Sequence, residues 1–197
     1  MFCDSTHKSD SMNGNAREDL RSANFLLDQI QEADLRYGCV EVSLQSLGIP
    51  GHFLDVLDGG PKNVEQTVGI LERSGFGINW VIQPHDGVTA DQVEYIFDSS
   101  RPPTFREELP GGLLVGYLCF ERYFTPKNPD HLMSVLPRDR MPRDDRKYLK
   151  RKRSFAVVDT IVGGIVPRTS EQLAHYMNYV LRSDGVLDIA QIRRLRD

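Results

Sequence analysis

The acidic residues that fall within predicted strands are the first candidates for chemistry. Asp159 interrupts an otherwise apolar strand, and Glu41 and Glu121 also lie on predicted strands. A buried carboxylate must find a partner, bind a metal or shift its pKa. Carboxylates that converge at strand ends can hold Mg²⁺ for phosphoryl chemistry, and His85, in a loop after a strand, is a candidate general base. These four residues define one hypothesis, a small α/β hydrolase or phosphotransfer enzyme.

The competing interpretation of the same residues is structural, with a paired aspartate and two glutamates on strand faces. The sequence contains no Asp-x-Asp pair and no Gly-rich phosphate loop, and its five histidines include no pair at metal-ligand spacing. We therefore expect no metal and no cofactor, and we favour a protein that is not an enzyme.

Basic residues are concentrated in residues 138–153, which we call the basic segment. It contains nine Lys or Arg and three Asp, a net charge of +6. Because the whole chain carries −4, the remainder carries −10. Consecutive cations repel one another and stay solvated unless a polyanion or an acidic groove receives them. The predicted phosphate-contacting residues are Arg146, Lys147, Lys150, Arg151, Lys152 and Arg153.

A second basic cluster, with Arg193 and Arg194, lies near the C-terminus on a predicted helix spanning residues 186–196. If it shares a face with the basic segment, the two would form one surface that follows a phosphate backbone. The alternative is ordinary favourable charge at a helix C-terminus.

Length and composition favour one globular domain of ordinary type. The chain has 197 residues, of which 40% are hydrophobic and 26% charged. Its three cysteines are widely spaced, which suits a reducing compartment. No apolar stretch reaches the 18 residues of a membrane span, and the first residues lack the apolar core of a signal peptide. The sequence therefore predicts an intracellular protein, in the nucleus and cytoplasm, without a membrane partner.

The first half of the chain predicts helices alternating with strands. Residues 1–16 are polar and predict a disordered tail, which leaves residues 17–197 as the globular domain. Helical spacing of apolar residues predicts a helix over 17–37, and alternation predicts a strand over 39–44. Asn63 and Thr89 are predicted helix N-caps with glutamine three residues later. A strand over 78–83 lies between the two helices they begin.

The second half predicts two central strands, over 113–124 and 155–166, because each is apolar on both faces. Gly163 and Gly164 predict a bulge or bend within the second strand. Residues 125–154 are expected to form a long basic loop, and Thr169 caps a helix before the final one. The expected fold is α/β or α+β, a mixed sheet of four or more strands with helices packed on it, with parallel pairing plausible in the first half.

The leading functional hypothesis is a non-enzymatic binding protein, of the kind found among regulatory or viral accessory proteins. Its basic segment would contact RNA or DNA and act as a nuclear import signal recognised by an import receptor through residues 146–153. A third hypothesis is a self-assembling homo-oligomer, in which the acidic body of one copy attracts the basic segment of another.

Overall fold

The computed structural model describes residues 38–49, 64–83, 87–109, 111–123, 130–137, 154–159 and 164–195. The predictions for the tail over 1–16, the helix over 17–37 and the Asn63 cap lie outside these ranges. The basic segment and His85 also lie outside them.

Four helices and six strands make up the described chain. The helices are α1 Cys39–Ser46, α2 Val64–Arg73, α3 Ala90–Asp98 and α4 Ser170–Arg182. The strands are β1 Phe76–Trp80, β2 Leu113–Tyr123, β3 His131–Pro137, β4 Ser154–Asp159, β5 Gly164–Thr169 and β6 Gly185–Arg194.

All six strands belong to one sheet in the order β1-β6-β2-β3-β4-β5. Every strand pair is antiparallel, so the parallel pairing expected in the first half is wrong. Helix α4 carries the chain from β5, at one edge, back to β6, which lies between β1 and β2. The α+β class and a sheet of more than four strands are confirmed.

Helices cover both faces of the sheet, because most strands bury side chains on both sides. On one face Leu118 and Phe120 pack with the apolar side chains of α1 and α2. On the other face Tyr117 and Cys119 pack with those of α3 and α4. Alternate residues of β2 therefore belong to two different cores, as the period of two in a strand requires. The long central strand over 113–124 is confirmed as β2.

Two helices begin where their capping residues predict. The side chain of Thr89 accepts a hydrogen bond from the Gln92 backbone N–H, and the Gln92 side chain accepts one in return from the Thr89 backbone N–H. Thr169 and Gln172 repeat this arrangement at the start of α4. Each reciprocal pair satisfies two of the backbone donors that a helix N-terminus otherwise leaves without partners.

Four elements differ from the sequence-based expectation. Residues 39–44 form helix α1 instead of a strand, and residues 186–196 lie mainly in strand β6 instead of a helix. The expected loop over 125–154 contains strand β3. The single strand expected over 155–166 is two strands, β4 and β5, which pair with each other, and Gly164, one of the two glycines expected to bend the chain, is the first residue of β5.

Candidate functional site

Three ionisable side chains meet on neighbouring central strands, beneath helix α4. Glu121 of β2 lies directly opposite His131 of β3. Asp159, the last residue of β4, reaches the same place, and its Oδ1 lies 2.9 Å from His131 Nε2. All three residues are buried, with relative exposures of 2%, 1% and 6%. Two of the predicted catalytic residues, Glu121 and Asp159, are therefore brought together.

Two tyrosine hydroxyls complete this buried polar cluster. Tyr176 of α4 donates a hydrogen bond to Glu121 Oε1. Tyr123 of β2 donates to Glu121 Oε2 at 3.3 Å. Both carboxylate oxygens of Glu121 therefore have hydrogen-bond donors, which offset part of the cost of burying the charge.

Burial dominates the electrostatics of the cluster. It raises the pKa of the Glu121 carboxyl above its ordinary value, and Asp159 adds to the shift, while His131 and the two tyrosine hydroxyls oppose it. Burial and the adjoining Glu121 likewise raise the pKa of Tyr176, which keeps its proton. The pKa of the Cys119 thiol is raised by burial and then by Glu121, so this cysteine stays an unreactive thiol.

Within the described ranges, hydrogen bonds and the His131–Asp159 contact join the members of the cluster to one another, and the carboxylates of Glu121 and Asp159 are buried. Among the residues that the structure describes, no group of three or more His, Cys, Asp or Glu side chains is arranged to hold a metal ion. The arrangement therefore stabilises the contact of α4 with the sheet.

Glu41, which was also predicted for catalysis, lies on α1 instead of a strand. Helix α1 packs on the opposite face of the sheet from α4, where Ser43 donates to the Leu132 carbonyl and Ser46 hydrogen-bonds Ser134. Sequence reasoning missed His131 and Tyr176, although a histidine beside the mostly apolar residues 132–136 and a tyrosine among the apolar residues of α4 were both visible.

The sheet has one end at which arginines gather. Arg194, near the end of β6, lies opposite Leu113 at the start of β2 and Phe76 at the start of β1. In the same direction β3 ends at Pro137, which pairs with Phe155 near the start of β4. The basic segment, which joins Pro137 to Ser154, is therefore attached at the same end of the sheet as Arg194.

Three further arginines belong to this end. Arg73 ends α2, and the adjoining Gly75 carbonyl accepts from the backbone N–H of Leu195. Arg168 of β5 pairs with Phe155, and Arg101 follows Ser100, whose carbonyl accepts a hydrogen bond from the Arg193 guanidinium. We call Arg73, Arg101, Arg168 and Arg194 the basic end. Arg73, Arg101 and Arg168 were not among the predicted site residues, because each is a single arginine in the sequence.

Arg193 and Arg194 differ in role although they are adjacent. The Arg193 guanidinium donates to the carbonyls of Ser100 and Gly112 and to the Gln191 side chain, so it ties the end of α3 and the start of β2 to β6. Arg194 is exposed, and its guanidinium lies 5.9 Å from the centre of the Phe76 ring. Of the two predicted contacts, Arg194 is the one available to a ligand.

Arg146, Lys147, Lys150, Arg151, Lys152 and Arg153 lie outside the described residues. The chain matches no protein-family model and no curated protein sequence. No helix in the described ranges is long and apolar enough to cross a membrane.

Proposed function

We propose that this protein binds the phosphate backbone of RNA or DNA, through its basic segment together with the basic end of the sheet. The observation that carries the proposal is that the basic segment is attached at the same end of the sheet as the arginines of the basic end. The antiparallel register brings Arg168 and Arg194 to the end of the sheet where Pro137 and Ser154 hold the two ends of the basic segment.

Strand spacing sets how far apart two arginines of the basic end lie. Their side chains project from opposite faces of the sheet, Arg168 beside Phe155 and Arg194 beside Phe76. Arg168 of β5 and Arg194 of β6 are separated by β4, β3 and β2. Four strand spacings of about 4.8 Å place them about 19 Å apart. That distance is roughly five to six phosphate steps of a duplex strand at about 3.4 Å each. The basic segment is attached to two of the strands between them, β3 and β4.

Arginine suits this task because its planar guanidinium makes paired hydrogen bonds to phosphate oxygens. Such contacts position a nucleic acid without reading its bases. The proposal is therefore for binding with weak sequence preference and strong salt dependence.

The test is fluorescence anisotropy with labelled single-stranded and duplex RNA and DNA, titrated at several salt concentrations. Replacing Lys150, Arg151, Lys152 and Arg153 by alanine removes up to four contacts, which flattens the slope of log K against log salt for duplex DNA by about 3.6. The Arg168→Ala/Arg194→Ala double variant flattens the slope by about 1.8.

The matched control is Arg182→Ala. Arg182 is exposed in the last turn of α4, just before β6 begins opposite Tyr123 at the other end of the sheet. We expect its slope to equal that of the wild type. Absence of binding at low salt refutes the proposal, and equal slopes for all three variants refute the assignment of the contacts.

A second use of the basic segment is nuclear import, which its run of cations at 150–153 supports. The protein would then be found in both nucleus and cytoplasm. Fusing a fluorescent protein to the full chain tests this, because replacing residues 150–153 by alanine should abolish nuclear enrichment while Arg182→Ala leaves it. Equal nuclear signal from all forms would exclude an import role.

A further inference from the structure

A groove opens at the end of the sheet opposite the basic end. It has a volume of about 490 Å³. The described residues that line it come from β1, β6, β2, the start of α2 and three connecting segments: Val64, Glu65, Trp80, Val81, Phe105, Arg122, Asp130, Asp188 and Ile189.

The groove combines negative charge with aromatic surface. Three carboxylates, from Glu65, Asp130 and Asp188, share it with one guanidinium, that of Arg122, which forms an ion pair with Asp188. Phe105 is 73% exposed at the groove, and Trp80 forms part of its wall. Carboxylates attract cations, and aromatic faces attract them further when they approach a ring.

The partial positive charge at the N-terminus of α2, the helix that contributes Glu65, is too small to cancel the negative charge of the groove. The N-terminus of a helix carries a partial positive charge of about half a unit. Glu65 lies in the first turn of α2 and offsets it. The chemistry of the groove therefore matches a segment rich in Lys and Arg.

We propose that this acidic groove receives the basic segment of a second copy of this chain. Charge complementarity carries the choice of occupant. The segment has a net charge of +6, and the run from Lys150 to Arg153 consists entirely of cations. This inference does not rest on nucleic-acid binding, since it needs only the charge of the segment and the groove.

The length of the chain prevents residues 150–153 from reaching the groove of their own copy. Asp130 directly precedes β3 and Pro137 ends it, so the two lie seven residues apart, or about 24 Å in a strand. Lys150 is only four residues from Ser154, so it reaches at most about 14 Å from the sheet end. The four cations therefore cannot enter their own groove.

The resulting contact is heterologous, because one surface binds a different surface of the next copy. Contacts of this kind build open chains unless the rotation between copies closes a ring. Wild-type protein should therefore form assemblies that grow with concentration and dissociate with salt, since exposed charges are screened over about 10 Å at 0.1 M.

The test is sedimentation velocity on nuclease-treated full-length protein, with two complementary variants. The segment variant has Lys150, Arg151, Lys152 and Arg153 replaced by alanine and keeps its groove. The groove variant carries Glu65→Gln and Asp130→Asn and keeps its segment. Asp130 accepts a hydrogen bond from the Tyr123 backbone N–H at 3.1 Å, and the amide oxygen introduced by Asp130→Asn can still accept it.

Each variant alone should stay monomeric at concentrations where the wild type assembles, with its dissociation constant raised at least tenfold. Their mixture should form a 1:1 dimer and stop there, because the only intact groove then faces the only intact segment. Asp184→Asn, an exposed change at the same end of the sheet and outside the groove lining, should assemble as the wild type does.

Wild-type protein that stays monomeric at low salt would overturn the proposal. So would a groove variant that assembles normally, or a mixture that fails to form the dimer when circular dichroism shows both variants folded. Adding a short oligonucleotide separates this proposal from the previous one. If both proposals hold, the nucleic acid competes for the basic segment and dissociates the assemblies. Assembly without nucleic-acid binding supports the groove proposal and not the nucleic-acid proposal.

Discussion

The hydrogen bond from Tyr176 to Glu121 makes a specific prediction about stability. Tyr176→Phe removes the hydroxyl that donates to Glu121 Oε1, so this buried oxygen loses that hydrogen bond. A hydrogen bond to a charged group contributes about 1.5 to 3 kcal/mol, so we expect a loss of about 2 kcal/mol at a pH above the raised pKa of Glu121, where the carboxyl is ionised. For a chain of this size that corresponds to a fall in Tm of about 4 to 8 °C. Urea and thermal unfolding followed by circular dichroism measure the two quantities.

The loss should shrink in acid, and this distinguishes the bond from general packing. Burial raises the pKa of Glu121 from its ordinary 4.5, so the carboxyl becomes neutral as the pH falls. A bond to a neutral group contributes about 1 kcal/mol, so the deficit at pH 4 should be about half that measured above the raised pKa.

The control is Tyr179→Phe, on the same helix, where the side chain is 62% exposed. This change should alter the free energy of unfolding by less than about 0.5 kcal/mol. The reasoning fails if the two variants lose equal stability, or if the Tyr176→Phe deficit does not change with pH.

Three further changes test other parts of the structure. Because the folded-state pKa of Glu121 is raised, its contribution to stability is complete below its ordinary pKa of 4.5 and is lost as the pH rises through the folded-state value. Glu121→Gln should therefore reduce the fall in the free energy of unfolding with rising pH, by up to about 1.4 kcal/mol per pH unit, measured by urea titrations at several pH values. Phe97→Ala should cost about 3 to 5 kcal/mol in urea unfolding, since this fully buried ring packs edge-on against two others at 5.2 and 5.8 Å. Gly112→Ala should lower Tm and cost more than about 2 kcal/mol, because φ is +104° and a Cβ would lie 2.1 Å from the Arg194 carbonyl oxygen. A Gly111→Ala control, where a Cβ meets nothing within 4 Å, should be tolerated.

Sequence patterns located α2, β1, α3, β2 and α4 but failed where burial surrounds an element. In residues 39–44 Val40, Val42 and Leu44 alternate as in a strand, yet Cys39 and Ser43 are buried too. A short helix buried on nearly every side shows no stripe, so periodicity cannot separate it from a strand. The opposite error occurred at β6, which was predicted as a helix because the spacing of its apolar residues also fits a helix. Its pairing with β1 and β2 makes it a strand.

The buried cluster shows what strand order adds to a sequence. The carboxylates of Glu121 and Asp159 were predictable as groups that needed partners. Their partners were not, because Tyr176 lies 55 residues from Glu121 in the chain, and His131 is on a strand that was missed inside an expected loop. Only the pairing of β2 with β3 and the packing of α4 bring these groups together.

The same topology separates the charges at the two ends of the sheet, which bears on the proposed binding of a polyanion by a chain of net negative charge. Antiparallel strands place the end of β6, with Arg194, beside the start of β2, and the end of β2, with Glu121, beside the start of β6. The two ends of β2 are ten residues apart, or about 34 Å. At physiological salt, charges are screened over about 8 Å, roughly a quarter of that distance. A nucleic acid at the basic end would therefore interact with the arginines there and hardly at all with the carboxylates at the other end. The local charge at each end of the sheet, rather than the net charge of −4, would then decide which ligands that end attracts.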